Sequence, residues 1–337
     1  MRLNGKWRAL GGLAALALAT SGCSLATPPS RLEVLEQALP KGTRIPPQWV
    51  SQPGTSGVAD DWLKSFNDAA LDSIVAEAIA NNLDLRQAAA VVEMARQSVV
   101  VVGSPLWPQV GAQLGARNTV ADSEKNGTES SSSNLQYAGV SWELDLWGRV
   151  RAQRAASEAN FQATALDYAF ARQSLAATTA KSWYLAIETR QLLALAQESV
   201  EIYRQLLELA KIRRAAGKVA DLDVAEASAN FNHAESVLRV AQGLYSEARR
   251  ALELLVGRYP AAEIEINATF APLPPLVAAG LPSSLLERRP DIIAAERQVL
   301  AAFRTEEAAE LALLPTFSLT LEGGRLSDRL LSLLKLN

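Results

Sequence analysis

The sequence predicts a mainly α fold of long antiparallel helical hairpins that carries alternating β strands, with the strand-and-helix unit duplicated. Three observations predict it. Residues 148–216 contain no proline, and no glycine after the first residue, so one helix of about 100 Å fits at ~1.5 Å per residue. In "VSWELDL", Val140, Trp142, Leu144 and Leu146 fall on one side and Ser141, Glu143 and Asp145 on the other, the two-residue period of a strand. A helix that ends at a proline and empties into a strand occurs twice, at Asp84–Pro108 and again at Asp291–Pro315.

Composition narrows the function classes. The 337 residues carry a net charge of -3, with 33 basic against 36 acidic residues, so no basic field invites nucleic acid. One Cys and one His exclude internal disulfides and nearly all His- or Cys-based metal sites and triads, and no cofactor is expected. Hydrophobic residues make up 49% but aromatics only 6%, a balance of Ala and Leu that suits closely packed helices.

Residues 1–22 read as a signal peptide: Arg2, Lys6 and Arg8, then "ALGGLAALALAT", then "SGC". The apolar stretch is shorter than the roughly 20 residues that span a bilayer. Cys23, the only thiol, stands where a bacterial lipoprotein is cleaved and acylated, although Thr20 occupies the place where such a site usually has Leu. An unlipidated signal peptide with an incidental Cys is the other reading. Ser24 after the Cys resembles the outer-membrane sorting pattern. No later apolar run is long enough for a spanning helix, so any membrane crossing falls to strands.

Residues 23–67 form an extended arm rich in Pro, Ser and Gly. A first structural repeat covers 68–270. It opens with a short helix, Asp68–Ala80, and a second from Asp84 to about Ser104 that Pro105 and Pro108 end. A β-hairpin over 108–146 follows. Val110, Ala112, Leu114 and Ala116 mark its first strand, Thr119–Ser133 a polar loop, and Asn134–Leu146 the return strand. A helical hairpin fills 148–256, broken at Gly217, with Asp223 and Glu226 at capping-box spacing. Its second arm carries Val224, Ala227, Phe231, Ala234, Leu238, Ala241, Tyr245, Ala248, Leu252 and Leu255 in steps of three and four, a heptad seam. Leu193, Ala196, Val200, Tyr203, Leu207 and Ala210 face it from the first arm, mostly large against small. Ile202, Leu206 and Leu209 form a second stripe on the long helix. An incomplete second repeat, 271–337, holds one helix and a strand at 316–323.

With "WELDLWGRV", "LLERRPDIIAAERQ" and the helix–proline–strand duplication, the chain resembles the TolC-type outer membrane efflux proteins, nearest to their NodT-like lipoprotein branch. The resemblance covers almost everything from Asp60 onward. It implies a homotrimer in which strands of three copies close a transmembrane β-barrel that continues into a periplasmic α-barrel. Val140, Trp142, Leu144 and Leu146 then face outer membrane lipid, and Ser141, Glu143 and Asp145 the lumen. Trp142 and Trp147 lie near the inner interface, and Gly148 turns barrel into tube. The implied function is passive efflux, with a periplasmic adaptor protein and an inner-membrane pump of the resistance-nodulation-division type as partners. Gly217, Lys218, Val219 and Asp221 at the hairpin turn are candidates for adaptor contact. Ordinary turn chemistry, with Gly217 as C-cap and an Asp as N-cap, is the alternative for them.

An enzyme is not expected. The acid pair Asp60–Asp61 sits in a loop, Asp221 and Asp223 open a helix where acids suit the dipole anyway, and His233 occupies a non-seam position. A periplasmic coiled-coil structural lipoprotein is the rival reading, but it has no use for alternating strands. By the resemblance, the second repeat lacks a last strand and further helices after Asn337. The expectation is therefore that this chain alone does not close a channel.

Overall fold

The computed structural model describes residues 26–30, 32–34, 62–123, 127–266, 269–274 and 286–327. The segment read as a signal peptide, Cys23 and most of the arm lie outside them. The elements are α1 (Ala69–Asn81), α2 (Leu83–Gly103), β1 (Gln109–Ser123), β2 (Gly127–Leu144), α3 (Arg149–Ala215), α4 (Asp221–Leu255), α5 (Pro290–Leu311) and β3 (Phe317–Ser327). The mainly α class, the long unbroken helix and the repeated helix-to-strand passage all stand.

Two compact units divide the chain. One comprises Val92–Ala165 and Ile293–Asn337 with the N-terminal residues. It holds a three-stranded antiparallel sheet in the order β1-β2-β3. Its helical part is packed with alanine: Ala152, Ala156, Ala159 and Ala163 on α3 and Ala294, Ala301 and Ala308 on α5 are all buried. Steps of three, four and seven put each set on one helix face, and so small a side chain lets backbones approach closely.

The other unit comprises Arg44–Val91 and Leu166–Ile292. Its core gathers Leu71, Val75 and Ala78 of α1, Trp183, Ala186 and Ile187 of α3, Leu252 of α4, and Ile264 and Ile266 beyond it. Asp68 opens α1 as its N-cap, accepting from the N–H groups of Ala70 and Leu71 at 3.0 Å each, and its second oxygen accepts from the Trp183 indole at 3.1 Å. Asn82 joins two helix ends: its amide donates to the Leu255 carbonyl at 3.0 Å, and its oxygen accepts from the Leu85 N–H at 3.0 Å. One side chain thus satisfies an orphan carbonyl of α4 and an orphan donor of α2.

The heptad seam of α4 is real. All ten of its positions are buried or half-buried. On α3, Ala196 and Leu207 are buried, but Tyr203 remains 38% exposed. The second stripe, Ile202, Leu206 and Leu209, is exposed, and Leu192 and Leu195 extend it.

Several boundaries differ from the sequence reading. The strands are longer, because Thr119–Ser123 pairs in register with Gly127–Ser131 and the ladder runs on to Ser133. Polarity hid this: a Ser/Thr run shows no alternation, yet its backbone pairs as well as any other. β3 likewise extends to Ser327 instead of ending at 323. α4 starts at Asp221, where Asp223 accepts from the Ala220 N–H at 2.7 Å. Asp223 is therefore the third helical residue reaching back, not the first half of a capping box with Glu226.

Candidate functional site

At the end nearest the helices, the sheet has two chemically distinct faces. In antiparallel pairing, residues directly opposite share a face. The register sets Val110, Val140 and Leu321 in one row, with Trp142 opposite Leu319 and Leu144 opposite Phe317. The other face carries Gln109, Ser141 and Thr320 in one row, and Glu143 opposite Ser318. Tyr137 and Glu322 lie on this polar face and are hydrogen-bonded to each other. The apolar face is bare: Val110 and Leu114 are each 81% exposed, Leu321 76% and Leu319 57%.

The strand-to-helix joint corrects two expectations. β2 ends at Leu144, so Asp145 and Leu146 are not strand residues and alternate with nothing. Asp145 caps α3 instead: its carboxylate accepts from the N–H groups of Val150 at 2.9 Å and Arg151 at 3.1 Å, and it pairs with the Arg151 guanidinium at 3.2 Å. Negative charge at the orphan donors of a helix start suits both hydrogen bonding and the dipole. Gly148 at φ 89 makes the sharp bend between cap and helix that a side chain resists. Glu143 is in the strand, and both its oxygens accept from Arg149 Nη2, at 2.7 and 2.9 Å. Two tryptophans tie the joint further. The Trp142 indole donates to the Leu106 carbonyl at 3.1 Å, and that of Trp147 to the Pro315 carbonyl at 2.8 Å. The alternation in "VSWELDL" showed the acids, but their arginine partners, six residues on, escape a period-two reading.

At the other end of α3, the turn is built by capping. Lys218 N–H donates to the Arg213 carbonyl and Gly217 N–H to that of Arg214, both at 2.9 Å, a Schellman ending with Gly217 at φ 69. Asp221 is engaged within the turn, because Arg214 grips it at 2.6 and 3.0 Å. That guanidinium holds the Asp221 carboxyl below its ordinary range. Lys218 is exposed and Val219 half-buried. His233 is exposed on α4, and among the described residues no cluster of His, Cys, Asp or Glu could hold a metal ion. No described helix is long and apolar enough to cross a membrane.

Comparison with known proteins shows the family. Residues 74–258 match the outer membrane efflux protein family. The chain belongs to that family. It is 34% identical over 295 residues to the pyoverdine export outer membrane protein OpmQ of Pseudomonas aeruginosa, covering 84% of this chain and 62% of OpmQ. It is 31% identical over 333 residues to the probable efflux pump outer membrane protein SepC of Pseudomonas putida, covering 94% of this chain and 67% of SepC. Among solved structures, the open-state MtrE outer membrane channel of Neisseria gonorrhoeae superposes with a TM-score of 0.67 at 26% identity, over 87% of this chain and 69% of MtrE. The chain thus spans 62% of the length of OpmQ, the first of these relatives. Family membership places the protein in the outer membrane; the family and its solved neighbours are outer membrane channels with a periplasmic extension.

Proposed function

We propose that the protein is the outer membrane component of a tripartite efflux system and passively conducts small molecules from periplasm to exterior, with no catalytic step of its own. The apolar sheet face carries the reading. A face that exposes Val110, Leu114, Leu319 and Leu321 is an aggregation liability in water, and hydrocarbon removes it. On this reading Val140, Trp142 and Leu144 face lipid, and Ser141 and Glu143 face a wet lumen, as in barrel strands. The Trp142 and Trp147 rings sit at the interface, where amphipathic aromatics settle.

Membrane depth also asks for closure, because every unpaired backbone group in hydrocarbon costs several kcal/mol. β1 and β3 are the edges of the described sheet and run in the same direction, so closing an antiparallel barrel in a homotrimer calls for a further strand between the β3 edge of one copy and the β1 edge of the next. The helices carry a matching demand: the exposed stripe through Leu195, Ile202, Leu206 and Leu209 on α3 asks for a helical neighbour in a periplasmic tube. A periplasmic adaptor and an inner-membrane pump of the resistance-nodulation-division type complete the path. Lys218 and Val219 at the turn shaped by Gly217 are the contact we assign to the adaptor, with Asp221 acting through its grip on Arg214. Acylation at Cys23 adds a lipid anchor.

Extraction of a Cys23→Ala chain tests this against the coiled-coil lipoprotein. A strand-spanning protein is expected to stay in the outer membrane fraction without its lipid and to require detergent. Release of Cys23→Ala as a soluble periplasmic protein would contradict the proposal.

A further inference from the structure

We infer that Arg304 and Glu307 of α5 form a clamp for the amino-terminal segment, gripping the backbone of Ala26 and so fixing where the acyl chains on Cys23 enter the membrane. The inference rests on the lipoprotein reading above for the acyl chains, and on contacts within one compact unit for the clamp.

Ala26 is bracketed on both sides of its backbone. Its N–H donates to Glu307 Oε1 at 2.5 Å, and its carbonyl accepts from Arg304 Nη1 at 2.7 Å. The two side chains also pair with each other at 2.7 Å, and they are only 12% and 9% exposed. An i,i+3 ion pair on a helix is ordinarily a solvated ornament worth little. This pair is nearly dry, and charges taken out of water need their remaining hydrogen-bonding capacity filled. The Ala26 backbone fills it, giving a donor to the carboxylate and an acceptor to the guanidinium. Side-chain identity at residue 26 plays no part, so the clamp reads the path of the chain.

The segment beyond is also shaped. Ser30 N–H donates to Glu33 Oε2 at 2.6 Å and Glu33 N–H donates to Ser30 Oγ at 3.3 Å, a reciprocal capping box that opens the turn at Leu32–Val34. Two independent fixings therefore lie within nine residues, 26–34.

The position matters because Cys23 is three residues from Ala26. Three residues reach at most about 10 Å. From Glu307 to the end of α5 at Leu311 is about 6 Å of helix rise, and β3 follows at Phe317. The lipid-bearing residue is thus leashed close to where a helix gives way to a strand.

A nitroxide on Thr27→Cys, an exposed position beside the clamp, tests both layers on the full chain in native membranes. Cys23 is the only other thiol, so one label per chain reports acylation and two labels report a free Cys23. The label count therefore judges the lipid and leaves the clamp untouched. The line shape judges the clamp: it should be broad in the otherwise wild-type chain and sharpen by about tenfold in mobility in Glu307→Ala, as loss of a charge-assisted bond implies. Arg304→Met should sharpen it as well, which guards against one variant failing to fold. Identical line shapes in the parent chain and in both variants would overturn the clamp.

Discussion

Replacing Glu253 by alanine is expected to lower unfolding stability by about 3–5 kcal/mol, since it leaves three backbone donors unpaired at about 1–3 kcal/mol each. Glu253 is 2% exposed. Its Oε1 accepts from the N–H groups of Glu263 at 2.6 Å and Ile264 at 2.8 Å, and its Oε2 from Ala262 at 2.7 Å. These bonds hold a bend in which Ala262 sits at φ 58, left-handed for a residue with a Cβ. The bend in turn seats Ile264 and Ile266 in the core, so three orphaned donors and two apolar plugs fail together. Glutamine should lose less than alanine, because it keeps one oxygen for two of the donors while its amide opposes the third.

The same carboxylate predicts a pH signature. Burial alone pushes the Glu253 carboxyl up, but the three backbone donors outweigh it and leave its pKa below the ordinary 4.5. A group whose folded pKa is depressed contributes fully above its unfolded value and loses that contribution as pH falls through the folded one. The stability gap between wild type and Glu253→Ala, followed by urea midpoint, should be constant near neutral pH and shrink below about 4.5. A gap that stays unchanged in acid would assign the effect to packing alone.

Gly257→Ala is expected to cost roughly as much, through two distinct causes. Gly257 ends α4 in a Schellman turn at φ 76, with Arg258 N–H bonded to the Glu253 carbonyl at 2.8 Å. An L-residue there pays about 1–2 kcal/mol. A Cβ would also lie 2.6 Å from the Asn81 carbonyl oxygen, and overpacking of this kind adds about 1–3 kcal/mol. The neighbour is backbone, at a joint locked by Asn82 on one side and by the Arg258–Glu77 pair at 2.6 Å on the other, so it has little room to give. Asparagine tolerates left-handed φ and separates the causes. If Gly257→Asn restores the thermal midpoint, the close approach is unimportant; on this structure it should not.

How much of this was legible in the sequence follows from the distances over which each pattern is written. The α4 seam is periodic within one helix, so all of Val224–Leu255 could be read directly. The helix-to-strand duplication was equally plain, because Pro108 and Pro315 punctuate it. The apolar sheet face was half legible: alternation gave Val140, Trp142 and Leu144, whereas their row partners Leu321, Leu319 and Phe317 depend on a register set some 180 residues away. Asp145 misled, because a cap for α3 falls in phase with the strand before it. Glu253 and the Arg304–Glu307 pair were invisible. Each looks like a helix-surface charge until the chain returns, from Ile264 in one case and from Ala26 in the other, to bury it.

The central claim is that β2 runs through a bilayer with lipid on one face and water on the other. Single cysteines at Val140, Ser141, Trp142, Glu143 and Leu144, each carrying a bimane fluorophore in native outer membranes, test it most directly. Brominated phospholipid should quench positions 140, 142 and 144, and aqueous iodide should quench 141 and 143. Quenching that shows no two-residue alternation, or iodide reaching all five alike, would contradict the account.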